Sequence, residues 1–186
     1  MVTSVWTVRG IIRRMLPVLV VLTTIELGSG IVLNTFESTL LRFPSLLVLV
    51  PVTIGMAGNL GSILAARLST ALHLGLLSFD ATDERLAGNA VATLALAITV
   101  FPLVGAGAWL LQALLGGTRP PLLTVVAVAL TSGVVLAALA VAVTTATTYA
   151  AYRFELDPDD VVIPVVTNVC DVLGVLVLFG VVRLLV

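Results

Sequence analysis

The segment Val161-Val-Ile-Pro-Val-Val-Thr-Asn-Val-Cys-Asp-Val-Leu-Gly-Val-Leu-Val-Leu-Phe179 holds one charged residue, Asp171, in an otherwise apolar run. The run is long enough to cross a bilayer as a helix, which takes about 20 residues for ~30 Å of hydrocarbon. A carboxylate at that depth costs at least ~2.5–3.5 kcal/mol on insertion scales. Such a residue persists where it faces a bundle interior, a watery cavity or a cation. Asp171 is therefore read as part of a site, and the rest of the chain has to say what it serves.

The composition fits the same class. Of the 186 residues 60% are hydrophobic and 10% charged, and the mean hydropathy is +1.23. Soluble domains carry roughly 25% charged residues, so this chain lacks the polar cover that water demands. One integral membrane domain spanning 1–186 is expected, with membrane lipid around it. The net charge of −1 gives nucleic acid nothing to bind. The lone Cys170 excludes an internal disulfide.

Five stretches are long and apolar enough to span. They run from about Met15 to Leu33, Pro44 to Thr70, Gly88 to Leu115, Leu122 to Tyr152 and Val161 to Val186. Loops are expected over Asn34–Phe43, Ala71–Ala87, Gly116–Pro121 and Arg153–Asp160, and Gly116-Gly117-Thr118-Arg119-Pro120-Pro121 reads as a turn. Arg9, Arg13 and Arg14 precede the first span, so the N-terminus is expected in the cytoplasm of a multi-pass plasma-membrane protein. Arg67, Arg85 and Arg153 then fall on the inner side as well, against Arg42, Arg119 and Arg183 outside. Glu26 interrupts the first span and no small-residue cleavage site follows, so an uncleaved helix is preferred over a signal peptide.

Glu26, Asn59, Asn168 and Asp171 are the polar groups at membrane depth, with Thr167, Ser62, Gly55 and Gly58 beside them. At 1.5 Å of rise per residue, Asp171 and Glu26 lie ~15 Å deep and Asn59 within about 7 Å of that level. One hydrated small cation could touch all three. Thr167, Asn168 and Asp171 share a helix face, as do Gly55, Asn59 and Ser62. The Pro- and Gly-rich run Pro51–Gly61 is expected to loosen and turn carbonyls toward a ligand. Hard cations want oxygen ligands, and Mg²⁺ in particular keeps waters and binds one or two carboxylates. No Cys/His cluster suits zinc or copper. Two Asp171 side chains across a dimer axis would balance one divalent ion. No Ser/His/Asp set or protease acid pair is present, so no enzyme is expected.

Other polar groups have simpler explanations. Asp157 and Pro158 read as N-cap and first residue of the last helix, with Asp159 and Asp160 complementing its dipole. Asp80, Asp83 and Glu84 repeat that pattern before the third span. His73 reads as an interfacial residue and Cys170 as a packing residue. Gly105, Ala106, Gly107 and Ala108 imply close helix contact. Asn59 could be interhelical glue, and Asp171 a hydrogen-bonding residue between helices.

Pro44-x6-Pro51…Gly58-Asn59-Leu60-Gly61-Ser62 resembles the second-helix motif of the MgtE magnesium channels. Ala66-Arg67-Leu68-Ser69-Thr70 resembles the related animal solute carriers that move magnesium. Leu156-Asp157-Pro158-Asp159-Asp160…Thr167…Asp171-x-x-Gly174 resembles the start of the last helix in both. The resemblance covers essentially the whole chain. It implies an all-α integral membrane fold of five transmembrane helices per chain, dimerising into a ten-helix bundle with a central pore. It further implies Mg²⁺ as the transported ion, Asp171 as the pore aspartate and Asn59 as the pore-lining asparagine. Thr167 and the glycines near Asn59, Gly55 and Gly58, would be wall positions. The bacterial channels carry large magnesium-sensing cytoplasmic domains. About fourteen residues precede the first span here, so gating by such domains is not expected. Still open are an H⁺- or Na⁺-coupled exchanger, and a half-subunit that works only with a paralogous partner. Homodimer against heterodimer, channel against carrier, and Mg²⁺ against Mn²⁺, Co²⁺ or Ca²⁺ also stay open.

Overall fold

The computed structural model describes residues 7–80, 83–116 and 120–186, and of Arg14 the backbone alone. Six helices account for nearly all of them, in the order α1 (Val8–Thr35), α2 (Glu37–Arg42), α3 (Pro44–His73), α4 (Glu84–Leu114), α5 (Leu122–Arg153) and α6 (Pro158–Leu185), and no strand occurs among the described residues. All but α2 are long and apolar enough to cross a membrane. The five expected spans are thus present, each extended by a few residues at one or both ends.

Local chemistry sets those ends. Thr7 caps α1 by accepting from the Gly10 amide at 3.2 Å. Asp83 caps α4, taking the amides of Arg85 at 2.9 Å and Leu86 at 3.2 Å. Asp157 caps α6, accepting from the Asp159 amide at 3.1 Å, with Pro158 in the first turn where a missing N–H costs nothing. The cap explanations for the acids before α4 and α6 therefore hold at Asp83 and Asp157.

Two expectations need correction. Asn34–Phe43 is not simply a loop: Glu37–Arg42 forms the short helix α2. An acid in its first turn and a base in its last complement the dipole, and buried Leu40 pins it to the bundle. Pro51–Gly61 does not unwind either. α3 runs unbroken through it, because its glycines are used for close packing instead. The centre of the expected turn, residues 117–119 with Arg119, lies outside the described residues.

Helices α3, α5 and α6 pack against one another, α4 lies across α3 and α5, and α1 rests on α6 with a small contact to α2. Small residues allow the close approaches. A Cβ on Gly105 of α4 would stand 2.9 Å from Ala129 Cβ and Val126 Cα of α5, and one on Gly133 of α5 would enter the Phe101 ring of α4. Gly105 confirms the expected tight contact, whereas Gly107 faces open space. At the end of the bundle near α2, the Phe36 and Phe179 rings stack at 4.1 Å and the Arg183 guanidinium lies 4.7 Å from the Phe36 centroid. α1 is nearly bare, and Leu22 is its one buried apolar side chain among the described residues.

Candidate cation site between α1, α3 and α6

Asp171 sits about halfway along α6, thirteen residues or ~20 Å of rise from Pro158. It is half-buried where α6 crosses α3. Glycines bring the two helices together there. A Cβ on Gly58 would stand 3.2 Å from Asp171 Oδ1 and 3.9 Å from the Thr167 carbonyl oxygen. One turn on, Gly61 lies against Val166 and Cys170, whose nearest atoms would be 2.5 and 3.3 Å from an added Cβ. In return, Gly174 of α6 accommodates Ile54, whose Cα would be 3.2 Å from a Cβ there. Cys170 is thus a packing residue, as expected, and 2% exposed.

The Glu26 carboxyl of α1 approaches Asp171 closely enough to interact with it. Two acids from helices well separated in sequence thereby share one region. Neither meets a basic side chain among the described residues, and no backbone or side-chain N–H donates to Asp171. The interhelical hydrogen bond of Asp171 among the described residues is to the Glu26 carboxyl, which brings a second acid and no positive charge. A half-buried acid pair that no described residue meets with an N–H donor or a counter-charge calls for a proton or a cation from outside.

The other expected residues divide into two groups. Asn59 and Gly55 are exposed on the flank of α3 beside Gly58, and among the described residues no hydrogen bond ties the Asn59 side chain to another helix. Thr167 and Asn168 turn back onto their own helix. The Thr167 hydroxyl donates to the carbonyls of Ile163 at 3.0 Å and Pro164 at 3.1 Å, and Asn168 Nδ2 donates to Pro164 at 2.9 Å. Both keep free acceptor capacity, since a hydroxyl has a second lone pair and an amide its oxygen. Ser62 likewise donates to the Asn59 carbonyl at 3.1 Å.

His73, read from the sequence as an interfacial residue, has acidic neighbours. In the structure its ring nitrogen, an Asp157 oxygen and an Asp159 oxygen all lie within 4.8 Å of one another. Buried Ser69 donates to Asp159 at 2.6 Å and lies 3.5 Å from His73 Nδ1. No spacing could have announced this, since His73 and Asp157 meet only because α3 ends where α6 begins.

The fold and site define a multi-pass membrane protein with two interacting acids near mid-span that meet no basic side chain among the described residues. The family model for MgtE, a divalent cation transporter, matches residues 50–181, from α3 through nearly all of α6, and the chain belongs to that family. MgtE is a family of transporters, not of enzymes. No curated protein matches the chain.

Proposed function

We propose that residues 1–186 act as one transmembrane domain that moves divalent cations, Mg²⁺ first among them, across the plasma membrane along a pathway formed where two copies meet. Asp171 of each copy faces the ion, with Asn59 and Gly55 on the walls and Glu26 in support. Thr167 and Asn168 offer their spare acceptors to the ion's waters. The observation that carries this is the half-buried Asp171 carboxyl, which meets the Glu26 carboxyl but no N–H donor and no basic side chain among the described residues. Two such groups supply −2 to one hydrated divalent ion, which sheds its waters reluctantly and needs few direct ligands. Gly58 keeps α3 out of the way of the carboxylate. The arginines at the Val8 end of the bundle support an N-terminus in the cytoplasm.

The test is Mg²⁺ uptake into liposomes by the purified chain and by Asp171→Asn, which keeps the shape and loses the charge. Uptake should fall to background while the variant stays helical and monodisperse. Undiminished flux through Asp171→Asn would overturn the assignment.

The Glu26–Asp171 approach favours one second mechanism, in which the acid pair takes up H⁺ or Na⁺ in alternation with the divalent ion. Flux driven by an imposed proton or sodium gradient, and lost in Glu26→Gln, would select it. A partner supplied by a paralogous half predicts that the purified chain is inert until that half is added.

A further inference from the structure

Arg67 carries a charge that the described residues do not balance. It lies on α3, six residues or about 9 Å of rise before the helix ends at His73. Its Nε donates to Asn89 Oδ1 of α4 at 2.5 Å. A guanidinium has five N–H donors, so most of the fork is left over. Beside it a cavity of ≈ 390 Å³ opens between α3 and the start of α4, with Arg67, Asn89, Thr70, Ala71, Leu74 and Leu76 among its lining residues and no acid among them. Arg85 Nη1 donates to the Leu76 carbonyl at 2.8 Å, so a second guanidinium stands by the same opening. Neither arginine meets a carboxylate among the described residues. The neighbouring acid Asp83 is turned instead to the Ser78 amide at 2.8 Å and to the α4 amides it caps. The rim is apolar: Leu74 is 65% and Leu76 44% exposed.

We propose that this cavity binds the phosphate of an anionic phospholipid, with Arg67 as its chief ligand, Arg85 contributing charge, and an acyl chain lying along Leu74 and Leu76. A guanidinium matches phosphate oxygens two at a time, which an ammonium does not. Basic pockets between membrane helices take anionic headgroups in this way. The apolar rim distinguishes the site from one for a free ion, which would gain nothing from exposed leucines. The acids at mid-span play no part, so the proposal stands on the membrane-spanning fold and not on the transport pathway.

The test is thermal unfolding of the purified full chain in a neutral detergent, titrated with phosphatidylglycerol, phosphatidylcholine or inorganic phosphate, with native mass spectrometry to count retained lipid. Phosphatidylglycerol should raise the unfolding temperature, and the other two should not. Arg67→Ala should need about fivefold more phosphatidylglycerol for the same shift, the loss expected for one basic side chain at an anionic headgroup. Arg67→Lys should fall between, because charge survives and the fork does not. Arg85→Gln provides a second variant in case Arg67→Ala does not fold. Equal responses of the wild-type chain and both charge-removing variants would overturn the proposal. So would stabilisation by phosphatidylcholine or inorganic phosphate as large as that by phosphatidylglycerol.

Discussion

Gly58 fixes how near Asp171 comes to α3. A methyl group there would stand 3.2 Å from Asp171 Oδ1, closer than an uncharged carbon and an oxygen normally settle, and the carboxylate would have to swing away. Gly58→Ala is therefore expected to cut Mg²⁺ uptake severalfold while the thermal unfolding temperature changes little, since the side chain displaced is a half-buried acid and not part of the apolar core. Gly61→Ala should do the reverse. Its Cβ would stand 2.5 Å from Val166 Cγ1, and overpacking of this kind typically costs about 1–3 kcal/mol. Thermal unfolding of the two variants beside liposome flux separates the two effects, and an unstable but fully active Gly58→Ala would contradict the role given to Gly58. At this scale Asp171 was legible from sequence, because the cost of its charge makes it conspicuous in any apolar run. Its approach to Glu26 was not. Depth along two helices placed them at one level, but only the packing of α1 on α6 decides that they face each other.

Among the elements, the five long helices were readable because hydropathy and length alone determine what can cross hydrocarbon. The short α2 was not, since six residues between two spans carry no period, and its anchoring by Leu40 is a tertiary contact. The expected loosening of Pro51–Gly61 failed for an instructive reason. Glycine in a membrane helix serves equally to free the backbone or to admit a neighbour, and here Gly58 and Gly61 admit α6. The beginning of α4 gives a pH prediction. Hydrogen bonds to Asp83, led by the Ser78 amide, hold its carboxyl below the ordinary carboxylate range. A depressed pKa adds stability that is present above the unfolded value, near ~3.9, and is lost as pH falls through the folded one. Amide exchange at Arg85 and Leu86, corrected for intrinsic rates, should thus be protected at pH 7 and accelerate first below about pH 4. Asp83→Ala should show the acid-state exchange already at neutral pH, and protection unchanged in that variant would refute the cap's contribution.

For the molecule as a whole, the exposed flank of α3 bearing Gly55 and Asn59 sets a polar amide on a surface otherwise suited to lipid. In the two-copy arrangement proposed above, that flank meets its equivalent. Asn59→Cys in a chain with Cys170→Ser should then form an intermolecular disulfide under mild oxidation in membranes, whereas a cysteine replacing Leu103, 72% exposed on α4, should not. Monomer alone from Asn59→Cys would count against the shared pathway. The sequence could suggest such pairing only by resemblance, because no periodicity records which helix flank a second copy covers. The attachment of α1 carries a last consequence. Since α1 touches α6 and α2 and no other helix, it has no independent hold on α3, α4 or α5. Should α6 tilt or slide during a transport cycle, α1 is free to ride with it as an outrigger. Glu26 and Asp171 would then keep company through the stroke, and their surroundings on α3 would be what changes.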